Sequence, residues 1–326
     1  MLFLNLATKC FYRIYERFFP TDFPLNHEQI TQEHELTIQD ATRFRQIKEV
    51  WHKVGSELGF SKEHKVKFAV QLGADTSRAV WHNGTPTIII PYHYLRRAVV
   101  LDQEKNSSTK QLFNQVDWAV WQQFLKKSPD SIEEMQEYAH RFSEGMPKGK
   151  LIRLVEQYGS CLSQLELEGE LAHEFGHIQA EHLNPKKGKF LYWLLSILVQ
   201  VTIPLFMGGL VALFSSFFSE HPIISLSYGV CAALATRTAM SPQLLRKSIR
   251  YIRRVWEKEA DAIAASAPRC VEGNILLYKK DILMDIVKKG GIDHIRQQIF
   301  HDQTHYPSDA SRLEFFLSRR VKTKNY

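Results

Sequence analysis

The chain has 326 residues, 44% of them hydrophobic and 24% charged, which excludes a disordered polymer and allows one large domain or two modest ones. The formal net charge of +7 raises nucleic acid as a partner, but the basic residues gather beside apolar segments, and no nucleic-acid motif or basic-aromatic stripe appears elsewhere. The four cysteines (Cys10, Cys161, Cys231, Cys270) form no CxxC pair, which argues against a disulfide scaffold and a cysteine zinc site and fits a reducing compartment.

The first stretch, "MLFLNLATKCFYRIYERFF", does not read as a signal peptide. Lys9, Arg13, Glu16 and Arg17 break its apolar run, and no basic region precedes it. It suits an amphipathic helix lying on a membrane surface, or equally one packed on its own domain. From Asp40 to about Leu58, apolar residues at Phe44, Ile47, Val50, Trp51 and Val54 have helical spacing. Two strand-like runs follow, "KVKFAVQL" and "TPTIIIPYHYL", and Asn83-Gly84 ahead of the second is a turn signal. Helical periodicity returns from Gln111 to Lys126. Ser131 and Glu134 then have capping-box spacing for a helix ending near Gly145 and Pro147.

Residues 190–219 contain no charged side chain, which predicts a membrane-spanning helix, since about 20 apolar residues cross a bilayer core. The competing reading is a buried core helix. A second apolar run, 222–240, is interrupted by Arg237, and only Glu220 and His221 separate the two runs, so together they predict a helical hairpin in the lipid bilayer. Lys186, Lys187 and Lys189 precede the hairpin, and Arg246, Lys247, Arg250, Arg253 and Arg254 follow it. By the positive-inside rule both ends face the cytoplasm.

Between the strands and the hairpin stands "LAHEFGHIQAEH", residues 171–182. On a helix, residues four apart share a face, so His173 and His177 can offer their imidazoles to one zinc ion, with Glu174 beside it as a general base for water. A catalytic zinc takes a third protein ligand. The metzincin solution is absent, because Ala180 and Leu183 stand where its glycine and third histidine belong; His182 is out of register and reads as a surface residue. A glutamate on a later helix is the other solution. "WEKEAD" (256–261) offers Glu257, with Asp261 one turn on to accept the second N–H of a ligand histidine. On a helical wheel Glu259 lies about 200° from Glu257, on the opposite face. All three ligands must reach one ion, so an even number of spans must separate His177 from Glu257, and the hairpin satisfies this.

These features resemble the HtpX-type membrane zinc peptidases, in the gluzincin group that includes the CAAX prenyl proteases. The resemblance rests on "ELAHEFGHIQAEH", on Glu257–Asp261 and on the hairpin between them, and covers roughly 64–100 and 165–315. It implies that His173, His177 and Glu257 bind Zn2+, with Glu174 as base, and that "TPTIIIP" is the edge strand that pairs with extended substrate. Two departures stand out. Residues of about 100–164 are extra, mostly helical sequence, open to reading as lid, substrate filter or packing. The family's C-terminal H-P…R segment appears as "THYPSDASR", with Tyr306 where the histidine belongs and His305 shifted by one; either can donate to an oxyanion, and a structural turn suits both.

The expected fold is α+β and mainly helical: a zincin-like catalytic domain with a small edge-stranded sheet and an inserted transmembrane hairpin. Its expected divisions are an N-terminal helical region (1–60), a peptidase domain (61–189 and 241–326) and the hairpin (190–240). The expected function is a zinc-dependent endopeptidase acting on membrane or misfolded polypeptides, an integral protein of a bacterial inner membrane with active site and both termini cytoplasmic. A zinc-binding membrane protein without protease activity is the alternative.

Overall fold

Three consecutive isoleucines, Ile88, Ile89 and Ile90, are completely buried at the centre of a four-stranded sheet. The computed structural model that shows this describes residues 30–31, 37–60, 66–82, 84–101, 114–182, 184–219, 221–290 and 307–323. The N-terminal "MLFLN" segment, Asn83, Glu220, His305 and Tyr306 therefore lie outside the described residues. The sheet comprises β1 (Ile30–Thr31), β2 (Lys67–Gln71), β3 (Arg78–His82) and β4 (Thr85–Pro91) in the order β1-β2-β4-β3. β2 and β4 run parallel, whereas β1 is antiparallel to β2 and β3 to β4. A strand buried on both faces reads as a continuous apolar run, which is why "TIII" occupies the middle. The expectation that "TPTIIIP" forms the sheet edge is thereby corrected. Among the described residues the outer strands are β1 and β3, and β3 pairs Arg78 with Ile89 and His82 with Thr85.

The chain divides into two compact units. Among the described residues, one takes in 30–182 and 256–323 and the other 184–255. In the first unit, α1 (Ile38–Glu57) begins at Thr37, whose hydroxyl accepts the Asp40 N–H. Its stripe of Phe44, Ile47, Trp51 and Val54 is buried, and Trp51 stacks on Phe68 of β2 and on Phe175 of a later helix. A short two-stranded pairing of β5 (Val99–Val100) with β6 (Leu162–Ser163) leads into that helix, α5 (Gln164–Gln179). Between them lie α2 (Gln115–Lys127), α3 (Ile132–Glu144) and α4 (Lys150–Tyr158), whose Trp121, Phe124, Met135 and Tyr158 are fully buried.

α3 ends at Gly145 as its sequence predicts, yet the Ser131 capping box does not form, because the Ser131 hydroxyl turns to Glu133 instead. A complete box caps α5, where Ser163 accepts the Glu166 N–H and Glu166 accepts the Ser163 N–H. α10 (Pro268–Lys289) crosses α5 at backbone contact: a Cβ on Gly273 would lie 2.1 Å from the Leu165 carbonyl oxygen. Lys280 of α10 reaches Glu166 at 2.8 Å, and α11 (Asp309–Thr323) packs Phe316 on Tyr278.

In the other unit, α6 (Pro185–Ile197) runs through a π-helical turn into α7 (Ile203–Ser216), and α8 (Pro222–Ala235) continues through a second such turn into α9 (Ser241–Ala264). Two continuous helices, Trp193–Ser216 and Pro222–Ala264, are long and apolar enough to cross a membrane. Only 17% of the apolar window in each is buried, and Phe206, Phe214, Ile223 and Leu226 are exposed, so these apolar stretches are not core segments. α7 and α8 meet where Gly208 faces Gly229; a Cβ on either would lie 2.6 Å from the other's carbonyl oxygen. Small residues at a crossing let apolar helices approach closely.

Candidate active site

Helical periodicity puts His173 and His177 on one face of α5, and the last turns of α9 bring Glu257 and Asp261 against that face. Gly176 makes the approach possible, since a Cβ there would lie 2.5 Å from the Ala260 carbonyl oxygen. His173 Nε2 lies 3.1 Å from His177 Nε2 and 3.1 Å from Glu257 Oε2, while His177 Nε2 is 3.5 Å from Glu257 Oε1. Two imidazoles and a carboxylate converge here, a donor set that one cation would hold together. Bonds of about 2.0–2.2 Å in a tetrahedron give donor separations of about 3.3–3.6 Å, close to those found. Two histidines and one glutamate, with a fourth position left open, are the donors a catalytic zinc takes.

Behind the histidines lies a charged scaffold. Asp261 Oδ1 is 2.8 Å from His173 Nδ1 and, as a carboxylate, only accepts, so a proton sits on Nδ1 and Nε2 is the nitrogen left to face an ion. Arg312 of α11 grips Asp261 through Nε (2.8 Å) and Nη2 (2.6 Å) and lies over the Tyr278 ring, 4.6 Å from its centroid. Burial would raise the Asp261 carboxyl, but Arg312 and His173 hold it below its usual range. Burial likewise opposes ionisation of Glu257, yet the two histidines in contact with it hold it well below the carboxylate range. Burial and Arg312 both disfavour the charged form of His173, and Asp261 and Glu257 outweigh them, raising it to about 10. Burial dominates at His177 and lowers it.

Glu174 points to the other side, where its Oε2 accepts the backbone N–H of Ala79 on β3. Burial pushes its pKa up to about 7, against the pull of His173 and the Ala79 N–H. One turn earlier, Glu170 accepts the Ser77 N–H at 3.0 Å, the Ser77 hydroxyl at 2.5 Å and the Tyr94 hydroxyl at 2.9 Å. Two carboxylates one turn apart thus tie the sheet edge to α5.

His182 corrects its sequence reading. It is buried, with its ring stacked at 12° on Trp256 and its two nitrogens meeting His177 Nδ1 at 3.0 Å and Glu259 Oε2 at 2.9 Å. Burial lowers its pKa, which favours a neutral ring. Glu259, expected on the far side of α9, therefore meets not the converging pair but a histidine beside it. Arg312, Glu170 and Tyr94 were missed as site residues. Arg312 stood in the sequence only as the end of the H-P…R segment, and nothing local marks the other two. Pro307 and Arg312 are described, but His305 and Tyr306 are not.

The Peptidase family M48 model matches residues 109–318, well over half of the chain. The chain belongs to peptidase family M48. This is the family that contains HtpX and the CAAX prenyl proteases, and membership makes the chain a metallopeptidase hydrolase acting on polypeptides. Comparison with curated proteins and with solved structures gave no significant match. The M48 match begins at residue 109, so α2–α4, read from sequence as an addition to the family pattern, lie inside the matched span, and the sheet residues 64–100 lie outside it.

Proposed function

We propose that this M48 protein is a membrane-anchored zinc endopeptidase with a zincin-like catalytic domain and a cytoplasmic active site. The observation that carries this reading is the convergence of His173, His177 and Glu257 at separations suited to one tetrahedral ion, beside a buried glutamate at a sheet edge. A zinc ion held by these three supplies a Lewis acid for the scissile carbonyl and makes water at the site more acidic. Glu174 acts as the base. Its Oε2 is engaged by Ala79, which leaves Oε1 to take the proton from the attacking water and pass it to the leaving amine. Burial, which raises the affinity of this carboxylate for a proton, suits it to both transfers near neutral pH. Asp261 and Arg312 hold His173 in the tautomer that presents Nε2.

Extended substrate backbone adds to β3, which among the described residues has a strand on one side only. The apolar hairpin anchors this chemistry to the bilayer, and its basic flanks put both ends on the cytoplasmic side. Membrane or misfolded polypeptides are the substrate class that this placement serves. The test is metal analysis of the detergent-purified protein beside cleavage of casein. One zinc per chain and chelator-sensitive cleavage are expected; zinc without cleavage by any fraction would refute the peptidase reading.

A further inference from the structure

The two histidines of the site are not supported alike. His173 Nδ1 meets a carboxylate directly, whereas His177 Nδ1 meets His182 Nδ1 at 3.0 Å, and His182 Nε2 meets Glu259 Oε2 at 2.9 Å. Hydrogen-bond direction settles the protons along this chain. An ionised Glu259 only accepts, so His182 Nε2 carries its proton and Nδ1 is the acceptor. His177 must then donate from Nδ1, which leaves the Nε2 lone pair facing His173 and Glu257.

The turn that ends α5 brings His182 to this contact. α5 ends at Gln179, and Glu181 adopts φ 55°, the one positive φ at a non-glycine among the described residues. That turn carries the chain back so that the His182 N–H reaches the His177 carbonyl at 3.1 Å and its ring meets the His177 ring edge-on, with centroids 5.3 Å apart. A left-handed residue just past a helix end lets its own N–H and the next one close on the last carbonyls, as those of Glu181 and His182 do here on Ile178 and His177. Trp256, stacked on His182, fixes the ring from the other side.

We propose that His182 and Glu259 are positioning residues for the metal: Glu259 sets the tautomer of His182, and His182 aims His177 Nε2 at the ion. This rests on the zinc reading above. It makes α9 supply three acids to one site: Glu257 as ligand, Asp261 behind His173, and Glu259 behind His177 through His182. The third is set apart by its exposure, with 55% of the Glu259 side chain accessible against 3% for Asp261. Its substitution therefore tests orientation without emptying the core.

The experiment measures zinc affinity of the full chain in detergent by chelator competition, at about 0.5 M salt so that distant charges are screened. Cobalt spectra report the geometry of the site. Outer hydrogen-bond partners typically contribute about 10–100-fold to metal affinity, and Glu259→Ala and His182→Ala are expected to lose that much. Glu259→Gln retains a carbonyl acceptor for His182 Nε2–H and is expected to stay within a few-fold of wild type. Glu259→Lys puts a donor there, which reverses both tautomers and places a proton on His177 Nε2; it is expected to weaken zinc more than Glu259→Ala and to alter the cobalt spectrum. A merely structural role for an exposed side chain would not separate glutamine, alanine and lysine in this order. If wild type binds one zinc and Glu257→Gln loses it while the Glu259 variants all match wild type, the positioning role is overturned and the zinc site stands. If wild type binds no zinc, both readings fall. Should His182→Ala not fold, the Glu259 series decides.

Discussion

Replacing Glu174 separates the base from the scaffold. Glutamine has the same shape, and its Oε1 can accept the Ala79 N–H that Glu174 Oε2 now accepts, so β3 stays tied to α5. Proton transfer is what disappears. A positioned base is worth about 10²–10⁴ in rate, which at about 1.36 kcal/mol per tenfold is about 2.7–5.4 kcal/mol of transition-state stabilisation. Zinc content should be unchanged, because Glu174 is not among the three converging donors. Glu174→Ala removes the base and also strands the Ala79 N–H, at a cost of about 1–3 kcal/mol. Both variants remove a buried carboxylate, so the difference between them reports the strand contact together with the packing lost on truncation. At about 2–4 °C per kcal/mol for a unit of this size, alanine should melt about 2–12 °C below glutamine. The assays are kcat/KM on a quenched fluorescent casein, metal content, and thermal unfolding in detergent. Cleavage by Glu174→Gln within a few-fold of wild type would remove Glu174 from the mechanism. Coincident melting of the two variants would remove the Ala79 contact from the account of how the sheet edge is held.

Gly176→Val should lower Tm and zinc affinity together, since a Cβ 2.5 Å from the Ala260 carbonyl must push α5 off α9, and overpacking costs about 1–3 kcal/mol; wild-type zinc affinity would contradict the backbone contact. Asp281 offers a pH test away from the metal donors. Burial raises its carboxyl to about 7 from 3.8, with Lys280 opposing and Asp309, Glu166 and Glu170 adding. The folded state therefore holds this proton more tightly than the unfolded chain, and the associated stability is fully present below pH 3.8 and is lost as pH rises through about 7. Asp281→Asn should exceed wild type at pH 8 by up to about 4 kcal/mol in denaturant unfolding, with the gap closing toward pH 4; an equal gap at both pH values would be inconsistent with that titration. In a background with Cys10 and Cys231 replaced, a cysteine at Ser219 should react with an impermeant maleimide from outside the cell and one at the C-terminus should not. The reverse pattern would break the proposed orientation.

Features set by local periodicity were legible in the sequence. The four-residue step from His173 to His177, the same step from Glu257 to Asp261 and the uncharged run 190–219 follow from helix geometry and from the length an apolar helix needs to cross a bilayer, and each holds whatever surrounds it. What depends on partners far along the chain was not legible. β3 is five residues long and lacks a strong apolar alternation, so only pairing with β4 makes it a strand, and only burial on both faces moves "TIII" from the edge to the middle. Ser131 and Ser163 both stand three residues before a glutamate, yet only Ser163 closes the box, because the Ser131 hydroxyl has a nearer competitor in Glu133. A helical wheel sends Glu259 away from the histidines, and it cannot show that a left-handed turn at Glu181 folds His182 back to meet it. Sequence spacing orders side chains around one helix axis; which faces meet is decided by the close approach of two helices at Gly176 and by the turns that end them.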